Sequence, residues 1–180
     1  MEKSKAILVF LLLSTVSLFA DIVYEGGRSV SGAFLETIGT PSLFVGFMGV
    51  GEFVGNVLRF LSGLIASYTG SSLTLWALTI IGIHYHMPQH PYARVCRNMA
   101  VSSIPLRFLY VLDRVGKGLR SPARDVILSE VAEPIGIGKG FGIHGLLDQV
   151  GAFIGPVLVV WGLTIGGYPL AFRLLLIPGA

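Results

Sequence analysis

Apolar stretches long enough to cross a bilayer alternate along this chain with short turn signals, and charges recur inside those stretches at helical spacing. From Ala6 the run AILVFLLLSTVSLFA predicts a first helix that continues through DIVYEGGRSVSGAFLETIG. Asp21, Glu25 and Arg28 fall at i, i+4 and i+7 of that run, on one helical face. Such a stripe belongs toward a bundle interior and not toward lipid. Spacing alone leaves a second reading open, in which Asp21 marks the end of the span and an external loop follows. Lys3 and Lys5 ahead of the apolar run also give it the look of a signal peptide ending at Ala20. Leu18 stands where cleavage wants a small residue, so the run is read as an uncleaved helix.

Gly39-Thr40-Pro41-Ser42 is a turn signal. A second helix is expected from Leu43 to about Ser67, with Glu52 and Arg59 seven residues apart on one face. Gly51 and Gly55 form a small-xxx-small pair that permits close helix approach. After a loop at Tyr68–Ser72 the pattern breaks. LTLWALTIIG begins a third helix, but the apolar run from Leu73 to Ile83 covers about half a span. Pro88, Pro91 and Pro105, with Arg94 and Arg97, argue against a regular continuation through lipid. Residues 83–106 are therefore expected to be irregular. His84, His86 and His90 lack structural-zinc spacing and a nearby carboxylate. An external loop is one reading of this interval, and a disturbed reading frame accounts for it better than a metal site does.

A fourth helix is expected from near Leu106 into a charged stretch, followed by a loop marked by Pro134 and IGIGKG. A fifth helix should span about Phe141 to Leu163. Gly166-Gly167-Tyr168-Pro169 turns the chain into a sixth, which begins at Leu170 and reaches Ala180 after about half a span. That suggests a fragment. Lys3 and Lys5 place the N-terminus in the cytoplasm. Lys117, Arg120, Arg124 and Lys139 place the connection between the fourth and fifth helices on the same side.

Composition agrees with a bilayer as solvent: 53% of the 180 residues are hydrophobic, 13% are charged, and mean hydropathy is +0.76. There is room for five or six helices in a single transmembrane domain, residues 1–180. The net charge of +3 is scattered, without a basic run, which argues against nucleic-acid binding. Cys96 is the single cysteine, so an intrachain disulfide and a CxxC site are both excluded.

A dense run of charge lies in DRVGKGLRSPARDVILSEVAEPIGIGKGFGIHGLLDQVGAFIGP, from Asp113 to Pro156. Charges set among apolar segments mark pathways, gates or internal pairs. Asp113, Arg114, Lys117, Arg120, Arg124 and Asp125 are the gate or ion-pair candidates. Positive-inside anchoring is an equal reading for Lys117 and Arg120. Asp21, Glu25, Arg28, Glu52, Arg59, His144 and Asp148 are the transport-path or proton-coupling candidates. His144 and Asp148, at i and i+4, suit either a proton relay or a fixed polar contact.

DRVGKGLRSPARD followed by GKGFGIHGLLDQVGAFIGP resembles the region spanning helices four and five of prokaryotic major facilitator superfamily transporters. The pattern there reads approximately DRxGKGxRxxPRD, then GraFGxHRxLDxxGAxxGP. Asp21 and Glu25 match paired acids of that subgroup's first helix, and VGFMGVGEFVGNVLRFLSG is similar to its second, with Glu52 at an acid and Arg59 at a basic position. The resemblance covers nearly the whole chain except residues 83–106. It implies the N-terminal six-helix half of a twelve-helix transporter with the substrate path between its halves. Gly151, Gly155 and Pro156 resemble the family's helix-packing glycine-proline motif. Two departures stand out. The loop usually reading GxLxDRxGRR has Ser67 at its acid position and Tyr68, Ser71 and Ser72 at basic ones, and Gly145 replaces an arginine after His144.

The expectation is an all-α membrane protein, a bundle of five to six transmembrane helices forming half of such a transporter. It would lie in the cell membrane as a multi-pass protein and move a small solute by alternating access, with no catalytic residue, metal or cofactor. Its partners would be the solute, membrane lipid and, if encoded separately, a second six-helix half. One alternative is a transporter remnant without activity. Another is a membrane-embedded transferase, against which Asp113, Asp125 and Asp148 lack the tight spacing two metals need. IGIGKGFG lacks the phosphate-loop pattern and a preceding strand.

Overall fold

The computed structural model describes residues 2–37, 39, 41–69, 74, 77, 80–81 and 103–179, with side chains left aside at 43–45, 47–48, 103–110 and 113. Among the described residues the protein is all-helical. Helix α1 spans Lys3–Thr37, α2 Ser42–Thr69, α3 Ser103–Ala132 and α4 Ile137–Leu176, with a short 3₁₀ turn at Glu133–Ile135. Helix α1 runs unbroken past Asp21, so the residues after it are helix and not an external loop. Helix α3 starts earlier than the fourth helix expected from the sequence. Pro105 sits in its first turn, where a missing N–H has no intrahelical partner to lose. The histidine cluster, Cys96 and the rest of the irregular interval up to residue 102 lie outside the described residues, as does Ala180.

The IGIGKG segment after Pro134 is not the loop its glycines suggested. Gly136 alone makes the connection, at φ +92°, and helix resumes at Ile137. Later, α4 is broken at Gly166 and Gly167, the latter at φ +66°, a left-handed conformation that glycine adopts without penalty. The chain folds back there, so that Gly162 abuts Ala171 and Leu175 reaches Gly26 of α1. The turn expected at Gly166–Pro169 is therefore present.

Helix α1 packs mainly on α4, and α2 mainly on α3. Both pairings depend on glycine. A Cβ on Gly155 would collide with the carbonyl oxygen of Ile22, and one on Gly151 would lie 2.5 Å from that of Leu18. On the other pair, a Cβ on Gly118 would collide with the Gly55 carbonyl oxygen. These backbones approach more closely than any side chain allows, as expected of helices that associate through small residues. The contacts Leu18–Gly151 and Ile22–Gly155 advance together along α1 and α4, so the two run parallel. Gly55–Gly118 and Gly63–Pro122 make α2 parallel to α3. Thr69 and Ser103 consequently lie at opposite ends of the bundle.

Two apolar clusters close the packing. Ile22, Phe34, Val159, Phe172 and Leu175 join α1 to both arms of α4, and Phe10, Ala66, Leu128 and Val131 join α1, α2 and α3. Large apolar side chains elsewhere point outward, among them Phe53 and Phe60 on α2 and Phe153, Val160 and Trp161 on α4. Three stretches are long and apolar enough to cross a membrane among the described residues: Lys3–Thr37, Gly49–Thr69 and Ile137–Leu176. Helix α3 falls short because its inner face is charged.

Candidate functional site: a polar seam between two helix pairs

The charged positions meet along one seam. On α1, Ser14, Ser17, Asp21, Glu25 and Arg28 follow each other at steps of three or four residues and so share a face. On α3 the same spacing aligns Arg114, Lys117, Ser121 and Arg124. The two helices run antiparallel, which sets Ser17 against Arg124 and Asp21 against Lys117.

At one end, Lys117 Nζ lies 3.5 Å from Asp21 Oδ1 and 3.9 Å from Glu25 Oε1. Arg28 reaches Glu25 at 3.6 Å and Glu52 of α2 at 3.8 Å, and Arg114 Nη1 lies 3.1 Å from Glu52 Oε1. Tyr24 adds its ring: Lys117 Nζ is 3.3 Å and Arg114 Cζ 4.0 Å from the centroid. Cations over an aromatic face gain most where water is excluded, and Arg114 is only 2% exposed. Arg120 is equally buried on the same helix.

At the other end, Arg124 links three helices. Its guanidinium holds Asp125 Oδ1 at 2.9 Å, donates to Ser17 Oγ at 2.7 Å and lies 3.5 Å from Asp148 Oδ2 on α4. His144 completes the group, with Nδ1 3.1 Å from Ser14 Oγ and Nε2 3.5 Å from Asp148 Oδ2. The contacts differ in grip. A strong charge-assisted hydrogen bond measures about 2.7–2.9 Å; the Arg124–Asp125 pair meets that, whereas the Lys117 and Asp148 pairs are looser and more readily exchanged.

Between these ends lies a cavity of about 550 Å³ to which all four helices contribute. Asp21 and Glu25 come from α1, Arg59 from α2, Lys117, Ser121, Arg124 and Asp125 from α3, and Asp148 and Gln149 from α4. Its size suits a small molecule, and its wall is chiefly charged. A smaller pocket beside it is lined by Tyr24, Glu52, Asn56, Arg59 and Arg114.

Of the residues singled out in the sequence, Asp21, Glu25, Arg59, Lys117, Arg124, Asp125 and Asp148 line the main cavity. Arg28, Glu52, Arg114 and His144 adjoin it through the pairs just given. Gly151 and Gly155 stand against α1, continuing the stripe that carries His144 and Asp148, and Pro156 lies within α4. The Asp113 side chain lies outside the described residues. Ser14, Ser17, Tyr24, Ser121 and Gln149 escaped notice in the sequence. Ser14 and Ser17 were within reach of pattern reasoning, since they extend the Asp21 stripe backwards at helical spacing. Among the described residues no group of three His, Cys, Asp or Glu is placed to hold a metal ion.

The chain has relatives by sequence. The chain is 40% identical over 171 residues to an uncharacterised protein of Mycobacterium tuberculosis, covering 93% of this chain and 40% of that protein. An uncharacterised protein of Mycobacterium bovis matches with the same figures. An uncharacterised MFS-type transporter of Methanocaldococcus jannaschii is 28% identical over 148 residues, 82% of this chain and 35% of that protein. This chain is compatible with a membrane transporter. It spans about 40% of the length of the mycobacterial relatives. No family model and no solved structure matches it.

Proposed function

We propose that the chain is the N-terminal half of a major facilitator-type secondary transporter and moves a small solute by alternating access. The observation that carries this reading is the charged cavity of about 550 Å³ walled by all four helices. Ionisable groups inside apolar helix bundles are costly and serve pathways or relays. Here they pair with one another around open space, and Arg59 faces that space as well. The relationship to the archaeal MFS-type transporter supports the same reading.

In this reading the protein is a multi-pass protein of the cell membrane with a cytoplasmic N-terminus and five or six spans. The start of α1 and the connection at Glu133–Gly136 lie at the same end, since Gly140 and Ala132 meet Phe10. A second six-helix half would close the open side of the cavity, as transporter halves related by internal repeats do. Loose pairs such as Lys117–Asp21 supply the exchange: a bound solute group replaces one partner, and the freed charge re-pairs as the helix pairs rock. In this reading the solute crosses unchanged and the chain performs no chemistry on it.

The test is flux. Proteoliposomes containing the chain, loaded with a pH-sensitive dye, are offered succinate, inorganic phosphate, putrescine and glucose in turn. Saturable entry of one of them, lost in the Lys117→Ala/Asp148→Ala double variant, is expected. Inserted, folded protein that moves none of the four faster than empty liposomes overturns the reading for the chain by itself.

A further inference from the structure

We propose that Arg59 is the receptor for an oxyanion, a carboxylate or phosphate group, on the ligand of the polar cavity. The inference rests on the reading of that cavity as the solute path and names the class of solute. Arg59 is the central residue of the 21-residue apolar stretch Gly49–Thr69. A guanidinium at mid-span needs either water or a counter-charge. It faces both cavities of the seam.

Every carboxylate on the main cavity wall is already engaged. Asp21 and Glu25 share Lys117, and Asp125 and Asp148 share Arg124. Arg59 is the cation left over: among the described residues no carboxylate lies within ion-pairing distance of it. A cationic solute would have to displace Lys117 or Arg124 to find a partner. An anionic one meets a free planar fork suited to two-point contact with carboxylate or phosphate, with the Gln149 amide on the same wall as a further donor.

Binding is measured on the full chain in lipid nanodiscs with succinate, inorganic phosphate and putrescine as probes. Succinate or phosphate should bind saturably, weaken about tenfold or more in Arg59→Gln, and recover in part in Arg59→Lys. Lys139→Gln, remote from the cavity, should bind as the wild type does. Unfolding temperatures of each variant separate lost binding from lost fold. Anion binding unchanged in Arg59→Gln, or preference for putrescine, overturns the proposal. Discs with and without a phosphatidate lipid separate a free anion from a headgroup: an Arg59-dependent effect of the lipid without binding of either soluble anion overturns the assignment to a solute. Flux on the same variants keeps the two readings apart. Arg59-dependent binding without flux counts against transport and leaves the anion site standing. Flux of succinate or phosphate that persists unchanged in Arg59→Gln removes the anion site and leaves transport standing.

Discussion

Replacing Gly155 with alanine tests the closeness of α1 and α4, on which the seam's alignment depends. The added Cβ would strike the Ile22 carbonyl oxygen and lie 2.7 Å from Gly26 N and 3.1 Å from the Ile22 carbonyl carbon. All three atoms are backbone of α1, so no rotamer change relieves the overlap. The helix itself must retreat by roughly half an ångström or more, pulling Ile22 from Val159 and Leu175 in the apolar cluster they share. Overpacking of this kind costs about 1–3 kcal/mol, while exchanging glycine for alanine inside a helix returns up to about 1 kcal/mol. The net expectation is a loss of about 1–2 kcal/mol. Gly142→Ala is the internal control, because a Cβ there meets nothing within 4 Å, and it should gain about 0.5–1 kcal/mol from helix propensity alone. Reversible unfolding in mixed micelles, followed by tryptophan fluorescence, reads both. Wild-type stability in Gly155→Ala, or an equal loss in Gly142→Ala, would refute the argument from close backbone contact.

Three further outcomes are expected. A double-mutant cycle with Arg124→Met and Asp148→Leu should give a coupling of about 1 kcal/mol, since the 3.5 Å contact is partly buried but loose; zero coupling by the same unfolding assay would remove Arg124 as the link between α3 and α4. Gly167→Ala should cost about 1 kcal/mol because of its φ of +66°, whereas Gly145→Ala, with open space around it, should not destabilise. A Lys139→Cys variant in a Cys96→Ser background should react with a membrane-impermeant maleimide from the cytoplasmic side, and labelling from the opposite side alone would reverse the proposed orientation.

The sequence by itself determined the helices and their faces. Period and apolar length announced α1 and α2, and the i, i+4 and i+7 spacing of Asp21, Glu25 and Arg28 put them on one stripe because an α-helix has 3.6 residues per turn. The turn at Gly166–Pro169 was legible for a similar reason, since glycine at positive φ beside proline punctuates a helix. Local signals misled at IGIGKG, where the glycines after Gly136 are helical and Gly140 nestles against Ala132 of α3. Whether α1 continued beyond Asp21 was also undecidable locally. A charged stripe is tolerable in a membrane bundle only if another helix answers it, and Lys117 lies 96 positions away. Tertiary structure alone decided who answers whom: Arg124 with Ser17 and Asp148, His144 with Ser14, Tyr24 beneath two cations, and Arg59 left with a cavity in front of it. Those choices follow from helix direction and glycine contact, which fix register across the bundle, and no spacing along one helix carries that information.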